Sequence, residues 1–137
     1  PRQALVRQEA QAVADGINLN TSVDQKPADA FMAGAVAYFS AMSCPGRAKI
    51  MLLEGPAVLG LGEMAKLDAE TGGATLLEGL KHSAKHGYLE GVPLEPLAEL
   101  LSSAFDRAAL AIANGGDRQA YETTTRLLLQ SILQKAD

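Results

Sequence analysis

The stretch PLEPLAELLSSAFDRAALAIANGGDRQAYETTTRLLLQSILQK, residues 93–135, decides the fold. Leu97, Leu101, Ala104, Phe105, Ala108 and Ile112 recur every three or four residues, the period that puts side chains on one face of an α-helix. Pro93 and Pro96 stand at the start of this helix, where a backbone N–H would be unpaired in any case. The helix runs to about Ala113; Asn114-Gly115-Gly116 is a turn, and Asp117 is placed to cap a final helix ending near Lys135. The final helix presents Tyr121, Thr125, Leu128 and Ile132, with Leu129 and Leu133 widening the stripe. On the other sides of the first, Ser102, Ser103, Ala109 and Ala111 are small enough to let another helix come close. Two antiparallel helices that are apolar on more than one face cannot satisfy all of that surface against a single core. The surplus meets either the rest of the domain or a partner, and a four-helix interface with a second copy of the chain is the expectation. Leu97, Leu101, Phe105, Ala108, Tyr121, Leu128 and Ile132 are its candidate residues.

Toward the N-terminus the same period continues. Residues 3–16 form a first helix with Val6, Ala10, Val13 and Ile17 in register, followed by a polar loop over residues 18–25. A second helix opens at Pro27 and runs to Ser43, with Phe31, Ala35, Tyr38 and Met42 on one stripe and Met32, Val36 and Phe39 on the next. Apolar over so much of its circumference, it is mostly buried. Cys44-Pro45-Gly46 is a turn, residues 47–53 a short third helix, and Gly55-Pro56 an interruption, because proline lacks a donor and clashes with the preceding turn. Residues 63–86 make a fourth stretch, one helix weakened or two helices divided at Gly72-Gly73, closed by Gly87. With no sustained alternation of strand type and no repeat, the reading is an all-α bundle of about six helices in a single domain over residues 1–137.

Composition narrows the function. The chain has 137 residues, 47% of them hydrophobic and rich in Ala and Leu, with only 4% aromatic, which suits helices around one core. A net charge of -4, with the 12 basic residues spread along the chain, gives no electrostatic footprint for DNA or RNA. The single cysteine, Cys44, closes no internal disulfide and fits a reducing cytoplasm. No apolar run approaches the roughly 20 residues that span a bilayer, so no membrane partner is expected. The helical pattern is under way by Leu5 in a chain that starts at Pro1, so a missing preceding segment is expected.

Phe31, Ala35, Tyr38 and Met42, together with Met51, Leu52 and Met64, are candidate ligand-binding residues. Methionine adapts to irregular space, and a helix broken at Gly55-Pro56 beside such residues can leave a cavity, although the same side chains also suit plain core packing. A buried Tyr38 hydroxyl needs a partner, either a ligand or a backbone carbonyl. His82 and His86 lie one turn apart with Glu78 on the same row, a spacing that can bring two imidazoles to a metal, but no further ligand is at hand and exposure near the helix end is the simpler account. No metal, cofactor or catalytic residue is assigned: Cys44 has no evident base, and no phosphate loop follows a strand. A small helical metalloenzyme and a filled-core protein-interaction module stand as the rival classes.

Three segments in order carry a family resemblance: Leu53-Glu54-Gly55-Pro56-Ala57-Val58-Leu59-Gly60; then Gly87-Tyr88-Leu89 followed by Pro93-Leu94-Glu95-Pro96-Leu97-Ala98; then the alanine-rich helix, the Asn-Gly-Gly-Asp turn and the leucine-rich helix. With Gln3-Ala4-Leu5-Val6 at the opening, the chain resembles the C-terminal ligand-binding and dimerisation domain of the tetracycline-repressor (TetR) family of transcriptional regulators. The resemblance implies a homodimer paired through the last two helices and a small-molecule effector enclosed by the middle helices. It also implies that operator DNA is contacted only through a helix-turn-helix head that this chain does not contain.

Overall fold

A computed structural model of the chain describes residues 1–18 and 26–135. Their elements are α1 (Arg2–Asn18), α2 (Pro27–Met42), a π-helical turn (Lys49–Glu54), α3 (Gly55–Leu59), α4 (Leu61–Glu70), α5 (Gly72–Lys85), α6 (Leu94–Ala113) and α7 (Arg118–Ile132), with no strand among the described residues. The protein is all-α. The polar loop expected over residues 18–25 lies outside the described residues, apart from Asn18, which ends α1.

Helix α2 is the organiser, in contact with α1, α5, α6 and α7. Met32, Ala35, Phe39 and Met42 are its buried residues, spaced to run down one side. They join two cores. Ala35, Phe39 and Met42 pack with Val13, Ala48, Ala108 and Ala109; Met32 packs with Leu80, Ala98, Leu101 and Leu129. A third cluster of Val6, Ala10 and Leu67 fixes α1 to α4. Side chains as deeply buried as Phe39, Leu80 and Leu129 each contribute about 1.5–3 kcal/mol by leaving water.

The punctuation follows backbone chemistry, with one correction to the sequence reading. Helix α5 ends in a Schellman motif: Tyr88 N–H donates to the Ser83 carbonyl and Gly87, at φ 91°, to that of Ala84. The turn after α6 repeats it through Gly115 and Gly116, and the Asp117 side chain caps α7 by accepting from Gln119 and Ala120. Gly55-Pro56, expected to interrupt, does not. The Gly55 N–H reaches back to the Ile50 carbonyl, a wider i→i−5 turn, so the helical path passes into α3 and breaks only at Gly60, φ 86°.

The long fourth stretch is two helices, which brings the number of α-helices among the described residues to seven, and the corner is at Thr71 (φ −119°, ψ −105°) with both following glycines already helical. Gly73 matters for space, not flexibility: a Cβ there would lie 2.7 Å from the Asp68 carbonyl oxygen. Gly73→Ala is therefore expected to lower stability by about 1–3 kcal/mol in urea unfolding, against the roughly 1 kcal/mol gain that helix propensity alone gives. An unchanged or raised midpoint would show that the corner relaxes freely.

Candidate ligand-binding site

Between α2, α5 and α6, closed by the ends of α1 and α4, lies a cavity of about 690 Å³. That size is typical of small-molecule pockets. Its walls are apolar at Phe31, Ala35, Leu76, Phe105 and Ile17, and its exposed lining residues Lys26, Glu78, His82, His86 and Lys135 mark where it opens to solvent. Glycines make the room. Gly34 on α2 faces open space, with nothing within 4 Å of where a Cβ would stand, whereas a Cβ on Gly79 would meet the Phe31 ring at 2.9 Å. Phe31 thus lies flush against the backbone of α5.

The polar part of the wall comes from three helices. The Tyr38 hydroxyl of α2 donates to Asp106 Oδ1 of α6 at 2.5 Å, and the Ser102 hydroxyl, one turn before Asp106, donates to Asp68 Oδ2 of α4 at 3.1 Å. Burial pushes the Asp106 carboxyl up to about 6; the Tyr38 hydrogen bond pulls the other way and the Asp68 charge adds to the rise. Burial likewise raises Asp68, with the Ser102 hydrogen bond opposing it. Tyr38 is raised far above its ordinary value, by burial first and then by the two carboxylates. The phenol therefore stays protonated and acts as a donor.

Of the candidate ligand-binding residues, Phe31, Ala35 and Tyr38 line this cavity. Met42, Met51, Leu52 and Met64 do not: Met42 sits in the core beside Phe39, Met51 and Leu52 pack on that core, and Met64 on the cluster around Leu67. The sequence reading does not single out Asp68, Asp106, Leu76 or the two glycines, and it names Ser102 only as a small residue that lets another helix come close. A local signal existed for α6, since Ser102, Phe105, Asp106 and the buried Ala109 fall on one side of the helix, which places a carboxylate on a buried face.

His82 and His86 reach the cavity mouth with ring centroids 4.4 Å apart, and His86 Nδ1 is 2.9 Å from the His82 carbonyl oxygen. Among the described residues no group of three or more His, Cys, Asp or Glu side chains is arranged to hold a metal ion. Nor is any helix among them long and apolar enough to cross a membrane.

The candidate interface residues divide. Leu101 and Ala108 are buried in this chain's own cores, and Leu97, Phe105 and Ile132 pack against those cores. Tyr121 and Leu128 are exposed. Leu100, 70% exposed, and Leu127, 63% exposed, join them on the outside of α6 and α7.

No curated protein matches the chain closely enough to mark a relative. A sequence model of the family described as "Tetracyclin repressor-like, C-terminal domain" matches residues 28–135, the span that carries Tyr38, Asp68, Ser102 and Asp106. With well over half its length matched in this way, the chain belongs to the tetracyclin repressor-like C-terminal domain family, which is a regulatory family.

Proposed function

We propose that the chain is the sensing and pairing domain of a TetR-type transcriptional regulator, acting as a repressor. It takes a small, largely apolar effector into the cavity beside Tyr38 and pairs with a second copy through the outer faces of α6 and α7. It passes the ligand state through α1 to a helix-turn-helix head outside this chain, on operator DNA in the cytoplasm. The observation that carries this reading is the cavity itself: a filled-core interaction module leaves no such space.

Two further features support it. Ile17, in the last turn of α1, lines the cavity and also packs on the core around Phe39, so an occupant touches the linking helix directly. Val6, Ala10 and Val13 bury the inner face of α1 against the rest of the domain, and Arg47, bonded to Glu9 and to the Ala41 carbonyl, adds a polar tie, so α1 moves with the core that an occupant displaces. Its pairs Arg2–Glu54 (3.2 Å) and Arg7–Glu63 (3.4 Å) lie at the surface and are worth little. The reading assigns no catalytic role: at the cavity Tyr38 and Ser102 donate to Asp106 and Asp68, and Cys44 is exposed in a turn away from it.

The test uses N-phenyl-1-naphthylamine, a neutral dye that fluoresces in apolar surroundings. It should bind saturably, one per chain. Gly34→Trp, which adds a side chain where the structure has open space, should weaken that binding at least about tenfold with the helical circular dichroism retained. Absence of saturable binding, or equal binding by the variant, would overturn the reading.

A further inference from the structure

Of the three carboxylates that line the cavity Glu78 is exposed at the mouth, while Asp68 and Asp106 are part-buried, and no cation among the described residues is paired with either of these two. Asp106 accepts from the Tyr38 hydroxyl and Asp68 from the Ser102 hydroxyl, both neutral donors. The five ion pairs formed by the described residues all lie elsewhere. An ionised carboxylate withdrawn from water without a counter-charge is costly, and two of them within electrostatic reach of one another are costlier. Lys26 and Lys135 also border the cavity, but both are exposed at its mouth, where water and salt screen them.

We propose that the cavity is built for a cation: a protonated or quaternary amine on an apolar, ring-bearing body, with its positive head against Asp68 and Asp106 and its body against Phe31, Leu76 and Phe105. This assignment rests on the ligand-sensing reading above and names the ligand class. An ammonium group supplies the counter-charge that the fold withholds, through charge-assisted hydrogen bonds that are strong where water is excluded. Phe31, Phe105 and Tyr38 also line the cavity, and aromatic rings attract a cation more than a neutral or anionic group. The raised carboxyls fit the same picture, because a bound cation draws them back to the ionised form. A carboxylate or phosphate ligand placed there would instead add a third negative charge.

Three naphthalenes of one shape separate the possibilities: naphthalen-1-ylmethylammonium, naphthalen-1-ylmethanol and 1-naphthoate, each competing with N-phenyl-1-naphthylamine for the domain at pH 7.5. The ammonium compound should bind about tenfold or more tighter than the alcohol, and the naphthoate weakest. Asp68→Asn and Asp106→Asn should each lower the ammonium-to-alcohol ratio, and together they should bring it to about one. The proposal is overturned when the alcohol or naphthoate competes as well as the ammonium compound, or when the ratio survives both Asn substitutions. Failure of the dye itself to bind is a different result and removes the ligand-sensing reading.

Discussion

Asp106→Asn should make the ligand-free domain more stable at pH 7.5, by about 2 kcal/mol, and should flatten the pH dependence of its stability between pH 7.5 and 5. In the folded chain burial holds this carboxyl near 6, against an ordinary 3.8. The folded state therefore binds more protons than the unfolded state between those values, and stability falls as pH rises across the window. The contribution from Asp106 is whole below the unfolded value and is lost as pH passes the folded one. Asparagine mimics the protonated acid: its carbonyl still accepts from Tyr38, and it carries no charge to desolvate. Asp68, which faces Asp106 and is itself raised by burial, works in the same direction and keeps some slope in the variant. The other titratable groups at the cavity, Lys26, Glu78, His82 and His86 with Lys135, are exposed at its mouth and are the same in both proteins. Urea unfolding at pH 5.0 and 7.5, at one protein concentration because the proposed pairing would contribute to stability, measures the effect. A variant less stable than the parent at pH 7.5 would mean that the carboxylate is already neutralised in the empty domain. A site that weakens its own fold is a familiar compromise between stability and function.

The helices were legible because each depends on a short-range period. Asp117, Gly87 and Gly115 do what their positions imply, since a cap is decided within about four residues. Gly55-Pro56 misled for the opposite reason. The rule that proline interrupts a helix assumes the normal turn, and the widening that admits Pro56 leaves no mark in composition. The site is a product of tertiary packing: Tyr38 and Asp106 are 68 residues apart in the chain, Asp68 and Ser102 34. Phe31, Ala35 and Tyr38 lay on a readable stripe and line the cavity, while the methionines that looked equally suited fill irregular corners of the cores. Apolar residues alone therefore could not locate the space. The half-buried carboxylate of Asp106 on α6 is the more telling residue, because a charge on a core-facing side needs a reason.

The same physics explains the division among the candidate interface residues and sets the second large effect. Periodicity picks out the face buried first, and in α6 and α7 that face is the domain's own core, where Leu101, Ala108 and Leu129 lie. Pairing with a second copy must use what remains: Leu100, Leu127 and Leu128, with Tyr121 beside them. Leu128 and Leu129 are neighbours in sequence about 100° apart around α7, 51% and 1% exposed, so one residue step separates the face proposed for pairing from the core. Leu127→Glu with Leu128→Glu should convert a dimer at micromolar concentration into a monomer in sedimentation, weakening association more than about a hundredfold. Carboxylates would then be forced into an apolar seam and, by two-fold symmetry, would enter it twice. Helical circular dichroism should be unchanged, because neither leucine supports the core. Leu129→Ala should do the reverse and cost about 2–5 kcal/mol of folding stability through the cavity it leaves beside Met32 and Leu80. A parent protein that sediments as a monomer, or a double variant that still pairs, would remove the dimer from the proposal while leaving the ligand cavity untouched, since none of these leucines borders it.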